Sequence, residues 1–78
     1  MKTDAQLISE RLFTFLNERN LTVNRLATLS DVPQTTLNGI VNGESKNPRV
    51  GTIRKLCKAL DVSYHDFFDF PPYNEVEK

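Results

Sequence analysis

The sequence predicts an all-α domain of five short helices. Apolar residues recur at spacings of three and four along most of the chain, which is the period of a helix with one buried face. Residues that cap or stop helices separate these stretches, and no stretch carries a convincing strand pattern. With 78 residues, the chain is long enough for one domain with a small single core.

The first predicted helix runs from Asp4, taken as its N-cap, to about Asn20. We expect its apolar stripe to bury against the two helices that follow. Leu7 and Phe13 lie off that stripe, so they are either partly exposed or covered by the C-terminal segment or by a second subunit. The stripe consists of Ile8, Leu12, Phe15, Leu16 and Arg19.

The stretch that organises the chain is residues 21–43, which is predicted to form a helix-turn-helix. Thr22 caps the second helix, which ends near Leu29 because the residues up to Pro33 favour non-helical backbone. Pro33 suits the first position of the third helix, and Asn42-Gly43 ends that helix. The predicted apolar faces are Leu26, Ala27 and Leu29 in the second helix and Leu37, Ile40 and Val41 in the third.

Two further helices complete the predicted domain. The fourth covers residues 49–60, and the fifth runs from Tyr64 to about Asp69, with Ser63 and Asp66 as a capping box. Pro71-Pro72 ends it, so residues 1–70 are assigned to a single domain and residues 71–78 to a flexible C-terminal tail. The inward residues of the fourth helix are predicted to be Val50, Ile53, Leu56, Cys57 and Leu60.

The outer edge of the third helix carries short, neutral, hydrogen-bonding side chains at its N-terminal end. Gln and Asn can bond adenine bidentately, and Thr can offer its methyl group to thymine or its hydroxyl to a base or phosphate. This end of a helix-turn-helix enters the major groove, which makes Gln34, Thr35 and Asn38 candidates for base contacts. The alternative is an ordinary solvated face, but such a face would be expected to carry Lys and Glu.

The formal net charge of zero hides a strong segregation of charge. Residues 19–60 hold seven basic and two acidic residues, whereas residues 61–78 hold one basic and five acidic residues. The basic part contains the predicted reading helix, as expected of a nucleic-acid interface. A neutral total still predicts modest non-specific affinity for DNA.

From about Leu21 to Phe68, the sequence resembles the phage-repressor-like helix-turn-helix family of the Cro/CI or XRE type. The resemblance is carried by motifs in the family's order and spacing: LT-x-x-x-LA at 21–27, V-x-Q-T-T-L at 32–37, N-G at 42–43, P-R-V-x-T-I-x-K-L at 48–56 and A-L-D-V-S at 59–63. It implies the five-helix, lambda-repressor-like DNA-binding fold.

The resemblance also implies roles for single residues. Gln34 and Thr35 match the first two positions that read bases, and Gly39 matches the third. Helix termini and the loop after the third helix lie along the DNA backbone in this family. The implied backbone contacts are therefore Thr22, Thr36, Asn42, Lys46 and Arg49.

Three departures from the family pattern are informative. Val23 replaces a Gln whose amide usually reaches a phosphate, and Gly39 offers no side chain, so specificity depends on fewer contacts or on DNA shape. Leu16 and Val41 replace a buried Arg–Glu pair found in many relatives. Losing one partner of such a pair costs about 3–5 kcal/mol, whereas replacing both with apolar groups can be neutral, so we expect the fold to be retained.

The sequence offers no case for an enzyme, a metal site or a cofactor. His65 is the single histidine and sits beside acidic residues, where it is expected to be solvated, and Cys57 falls among apolar residues as a core thiol. The chain contains no run of 18 apolar residues and no signal-peptide pattern, which favours a cytoplasmic protein without a membrane segment.

These observations give two functional hypotheses. The first is a sequence-specific regulator of transcription, most simply a repressor, which binds double-stranded DNA at a near-palindromic operator as a homodimer. The second is a protein-interaction module of the same fold, such as an antitoxin or a phage-encoded adaptor. The aromatic C-terminal segment, residues 64–73, either only closes the core or also contacts a second subunit, a partner protein or Phe13.

Overall fold

The computed structural model describes residues 2–44 and 48–75, and within them it contains five α-helices and no strand. This confirms the predicted fold class. A single-turn 3-10 helix, Tyr73–Glu75, follows the last α-helix. The helices are α1 (Asp4–Arg19), α2 (Val23–Ser30), α3 (Gln34–Val41), α4 (Val50–Leu60) and α5 (Tyr64–Phe67).

Helix α1 begins one residue earlier than predicted, because Thr3 and not Asp4 is its N-cap. The Thr3 hydroxyl accepts from the Gln6 amide at 3.2 Å, and the Gln6 side chain accepts from the Thr3 amide at 2.9 Å. This reciprocal pair satisfies two backbone donors at once, which a cap by Asp4 would not do. At the other end, Asn20 takes the left-handed conformation and stops the helix.

The helix-turn-helix has the predicted connection, except that Pro33 is the N-cap of α3 and not its first residue. Thr22 caps α2 by accepting from the Arg25 amide at 3.1 Å, and Asp31 ends α2 with a φ of 59°. Pro33 lies immediately before α3 as its N-cap. Gly43 then turns the chain away with a φ of 71°, a conformation that glycine adopts without a steric penalty.

The core lies between α1 on one side and α2, α3 and α4 on the other. Helix α1 packs mainly on α3, and α2 packs on both α3 and α4. The apolar residues of the α1 stripe, Ile8, Leu12, Phe15 and Leu16, are buried as predicted, whereas Arg19 is exposed. Phe67 of α5 is fully buried and closes the core. The largest fully buried side chains are Phe67, Leu12, Leu26, Leu37, Ile40, Leu56 and Leu60.

Two apolar residues predicted to face inward are also exposed. Leu29 is 46% exposed, and the buried residue on that side of α2 is Ser30, whose hydroxyl donates to the Leu26 carbonyl at 2.7 Å. A hydroxyl can be buried there because it is hydrogen-bonded within its own helix. Val50 is 77% exposed, since the buried stripe of α4 begins one turn later at Ile53.

The C-terminal segment is fastened to α1 by aromatic and arginine contacts. Phe67 stacks on Phe15 with ring centroids 5.8 Å apart, and Phe68 and Tyr73 continue the packed row. Arg11 lies over the ring of Phe15, with its guanidinium carbon 4.6 Å from the centroid. The prediction that Phe67 and a neighbour close the core is therefore confirmed.

Phe13 is not where these aromatic residues dock. Its side chain is 41% exposed, and Phe15 is the residue of α1 whose ring stacks on the C-terminal segment, at Phe67. Leu7 is half-buried and lines a shallow groove together with Phe70 and Pro71 of the C-terminal segment. The division between a domain ending at residue 70 and a flexible tail stays a prediction, and residues 76–78 lie outside the described residues.

Candidate nucleic-acid interface

The predicted reading residues lie on the open side of α3. Gln34, Thr35 and Asn38 are all exposed, whereas Leu37 and Ile40 hold the opposite side of the helix in the core. Anchoring the buried face fixes the outer edge relative to the rest of the domain. Helix α3 therefore presents amide and hydroxyl groups, and no charged side chain, to the solvent.

Gln34 is held in place by two neighbouring amides. Its Nε2 atom donates to Oδ1 of Asn24 at 2.5 Å and to Oδ1 of Asn38 at 3.3 Å. Asn24 belongs to α2, and Asn38 lies one turn further along α3. The side chain of Gln34 is thus exposed and at the same time tethered to both helices of the motif.

Asn24 is a functional candidate that the sequence interpretation missed. Val23, which replaces the family's phosphate-contacting Gln, turns inward and packs against the core. The next residue, Asn24, is exposed and supplies an amide to Gln34. The sequence did contain a signal for Asn24, because this amide directly follows Val23, the apolar replacement of the family's Gln. Neighbouring positions on a helix face different directions, so Asn24 can be exposed where Val23 is not.

The predicted backbone contacts fall at the ends of helices. Thr22 is exposed, and although its oxygen accepts from Arg25, its hydroxyl hydrogen is free to be donated to another acceptor. Thr36, Asn42 and Arg49 are also exposed, on α3, at its end and directly before α4. Lys46 lies outside the described residues.

The N-termini of α3 and α4 differ from those of the other helices. Hydroxyl side chains cap α1, α2 and α5, whereas within the described residues neither Pro33 nor Arg49 provides a side-chain cap. The first-turn amides of a helix have no partner inside the helix, and they favour a phosphate oxygen when no side chain caps them. The first-turn amides of α3 and α4 can therefore donate hydrogen bonds to phosphate oxygens of a DNA backbone.

The basic residues between positions 19 and 60 differ in whether they bind other parts of the protein. Arg19 is structural, because its Nε donates to the Leu60 carbonyl at 3.1 Å and its guanidinium lies over Phe15. This contact covers the C-terminal end of α4, where a positive charge is stabilising. The other basic residues that the structure describes between positions 19 and 60 are exposed: Arg25, Arg49, Arg54, Lys55 and Lys58.

Leu16 and Val41, which replace the family's buried ion pair, leave no buried polar side-chain atom of the described residues without a hydrogen-bond partner. Leu16 is buried and Val41 packs against the core. The Ser9 hydroxyl donates to the Val41 carbonyl at 2.6 Å, which ties α1 to the end of α3. No buried side-chain polar atom among the described residues lacks a hydrogen-bond partner, so the paired apolar replacement leaves no stranded charge.

The structure also bears on nucleophilic chemistry, metal binding and membrane insertion. Burial raises the pKa of the Cys57 thiol above its ordinary value, which makes it a poor nucleophile. The described residues contain no cluster of three or more side chains able to hold a metal ion. Residues 2–44 and 48–75 also contain no helix long and apolar enough to cross a membrane.

Comparison with known proteins gives the same family as the motifs. Residues 11–73 match the model of the Cro/C1-type HTH DNA-binding domain. The crystal structure of the prophage Lp1 protein 11 superimposes with a TM-score of 0.89 at 54% identity, covering 97% of this chain and 100% of that one.

Two curated relatives come from Bacillus subtilis. The HTH-type transcriptional repressor RghR is 44% identical over 55 residues, which is 70% of this chain and 41% of that protein. The uncharacterized HTH-type transcriptional regulator RghRB is 42% identical over 48 residues, which is 62% of this chain and 34% of that protein. The chain thus spans less than half the length of these relatives. The family is one of DNA-binding domains and not of enzymes, and the chain belongs to the Cro/C1-type helix-turn-helix DNA-binding family.

Proposed function

We propose that this protein is a sequence-specific double-stranded-DNA-binding regulator of transcription, and that it represses by covering a promoter. Helix α3 enters the major groove, where Gln34, Thr35 and Asn38 contact bases. The observation that carries the proposal is the uncharged, exposed edge of α3, with Gln34 tethered to Asn24 in a Cro/C1-type domain. In this role the protein acts in the cytoplasm, at DNA.

The contacts to the DNA backbone come from helix ends and the loop before α4. We assign them to Thr22, Thr36, Asn42, Lys46 and Arg49. The uncapped starts of α3 and α4 add amide donors for phosphate oxygens. These contacts fix the position of α3 on the duplex but do not select the sequence.

Selection of bound sequences from a random duplex pool tests the proposal directly. Enrichment of a short inverted repeat supports the proposal. If no sequence is enriched relative to the input pool, the proposal is refuted. On the selected site, Gln34→Ala should lose about 1–3 kcal/mol of binding free energy, with little change on random DNA. Asn17→Ala, an exposed amide on α1, is the matched control and should change neither.

The backbone role of Lys46 has a different signature. Lys46→Ala should weaken binding to selected and random duplexes alike and lower the slope of log affinity against log salt by about one. Lys2→Ala is the control, because Lys2 pairs with Glu10 on α1 at 2.6 Å and should leave the slope unchanged. An unchanged slope for Lys46→Ala would remove this residue from the phosphate contacts.

We further propose that two copies bind one operator as a homodimer. The domain measures 36 × 25 × 22 Å, so two copies fit side by side with their α3 helices about 34–36 Å apart, one turn of DNA. Of the aromatic C-terminal segment, Tyr64 remains 45% exposed and available for such a contact. Sedimentation of the complex on a single selected site should give two chains per duplex, and one chain per duplex would refute the dimer.

One observation favours the second candidate function, a protein-interaction module such as an antitoxin or a phage-encoded adaptor. Phe13 and Tyr64 are each more than 40% exposed, and the first of them has no role in the packing of the C-terminal segment. Retention on random duplex DNA at low salt separates the two functions. A module without a DNA role should flow through the column, whereas a regulator should be retained and should elute as the salt is raised.

A further inference from the structure

The hydrogen bonds of Gln34 decide which half of its amide is left for a base. A primary amide has two N–H donors and one oxygen acceptor. Both donors of Gln34 are directed to protein oxygens, one to Asn24 and one to Asn38. Only its Oε1 acceptor is left unpaired within the described residues.

We infer that Gln34 reads its base as an acceptor only, and that Asn24 is the positioning residue that enforces this polarity. The inference rests on the proposed function, because it concerns how α3 selects DNA. It differs from the bidentate reading of adenine, which requires one N–H of the glutamine for adenine N7 and its oxygen for the adenine amino group. With both N–H groups held by asparagines, the N7 contact is lost.

An acceptor in the major groove selects a base with an exocyclic amino group. Adenine N6 and cytosine N4 are the donors available there, whereas guanine and thymine present acceptors on their own edges. The base opposite Gln34 is therefore adenine or cytosine, and adenine is recognised through N6 without N7.

The two asparagines have the opposite polarity. Their Oδ1 atoms accept from Gln34, which leaves their Nδ2 groups as donors. Asn38 lies one turn further along α3 and directs its donor to a base acceptor, such as guanine O6 or N7 or thymine O4. Asn24, near the start of α2, directs its donor to a phosphate oxygen. The three amides thus form one unit with an acceptor at its centre and donors on both sides.

Base analogues in the selected operator test the inference. Comparing the sequences selected by the wild-type protein and by Gln34→Ala identifies the position that Gln34 reads. Where that base is adenine, replacing it with purine, which lacks the amino group, should weaken binding roughly 3- to 10-fold, the size of one hydrogen bond. Replacing it with 7-deazaadenine, which lacks the N7 acceptor, should change binding less than twofold. Where it is cytosine, pyrimidin-2-one should cause the same loss as purine.

The variant Asn24→Ala tests the positioning role. It frees one N–H of Gln34, so the preference should shift from adenine or cytosine towards adenine alone, and 7-deazaadenine should then weaken binding 3- to 10-fold. Asn17→Ala, which removes an exposed amide from α1, should leave the base preference unchanged. Asn24 is itself exposed, so the variant is expected to fold, and its circular dichroism spectrum verifies this.

The outcomes separate this inference from the proposed function. Three outcomes would overturn the inference while DNA binding stands. The first is guanine or thymine at the position that Gln34 reads, and the second is an equal loss of affinity with purine and 7-deazaadenine in the wild-type complex. The third is a base preference that Asn24→Ala leaves unchanged. If Gln34→Ala altered no position, the base-reading role would be wrong as well. If no sequence were enriched at all, the proposed function itself would fail.

Discussion

Arg11 is expected to be the main fastener of the C-terminal segment, and Arg11→Ala should destabilise the domain by about 2.5 kcal/mol. Its Nε donates to the Phe67 carbonyl at 2.9 Å and its Nη2 to the Asp66 carbonyl at 2.6 Å. These carbonyls belong to the last turn of α5, where carbonyls lack a full set of intrahelical donors, and the Asp66 carbonyl also accepts from the Asp69 amide at 3.4 Å. The guanidinium also lies 4.6 and 5.3 Å from the ring centroids of Phe15 and Phe70.

The expected magnitude follows from the burial of each contact. We assign about 1.5 kcal/mol to the half-buried bond with Phe67 and about 0.5 kcal/mol to the exposed bond with Asp66. Stacking of the guanidinium on the two aromatic rings contributes about 0.5 kcal/mol more. A domain of this length has a total stability of about 4–12 kcal/mol, so the variant stays folded at 25 °C but loses a large fraction of its stability.

Thermal and urea unfolding followed by circular dichroism measure this loss. The melting temperature of Arg11→Ala should fall by roughly 10–20 °C. Arg11→Lys keeps the charge but not the planar guanidinium group, so its free energy of unfolding should fall by about half as much as that of Arg11→Ala. Arg54→Ala, an exposed arginine on α4, should stay within about 0.5 kcal/mol of the wild type.

Hydrogen exchange would locate the effect within the molecule. The Phe68 amide, which donates to the Tyr64 carbonyl at 2.9 Å, should exchange faster in Arg11→Ala than amides in the middle of α4. A loss of stability no larger than that of Arg54→Ala, or unchanged exchange at Phe68, would contradict the fastening role of Arg11.

Two further perturbations test the end contacts of the fold. Burial and the hydrogen bond to Asp4 raise the pKa of Tyr73 to about 12, so the unfolded chain loses this proton first and stability should fall as pH rises from 10 to 12. Tyr73→Phe should cost about 1 kcal/mol below pH 10 and remove this part of the decrease, and parallel pH profiles of the two proteins would contradict it. Gly43→Ala should cost about 1–2 kcal/mol from its φ of 71°, since the new Cβ would meet Gln6 only at an ordinary 3.6 Å. Gly51→Ala, in α4 with open space around it, should instead stabilise by about 0.5–1 kcal/mol, and the same sign for both in urea unfolding would refute the argument.

The fold was predictable because periodicity, caps and stops agreed in most of the chain. Thr22 and Gly43 act as predicted, Ser63 caps α5 by accepting from the Asp66 amide, and the apolar residues of the α1 stripe are buried. The burial predictions were wrong where a polar residue is buried or an apolar residue is exposed. Ser30 is buried through a bond within its helix, which composition does not reveal, and Val50 belongs to a first turn that extends past the core.

The exposed edge of α3 was predictable, but the arrangement of its side chains was not. Helical spacing places Gln34 and Asn38 on one side of α3, and both are exposed there. The contact between Asn24 and Gln34 joins residues ten apart on two helices, so it depends on the angle of the turn. Likewise, the choice of Phe15 rather than Phe13 as the aromatic partner depends on where α5 crosses α1.

The bond between the Tyr73 hydroxyl and the Asp4 carboxylate makes the described chain almost a closed ring, because it joins residues 69 positions apart. A short peptide would therefore be enough to join the backbone near Asp4 to the backbone near Tyr73. Such a cyclic form should melt at a higher temperature, since closure removes freedom mainly from the unfolded chain. Helix α3 comes from the middle of the sequence, so its outward edge would keep its shape in the cyclic protein.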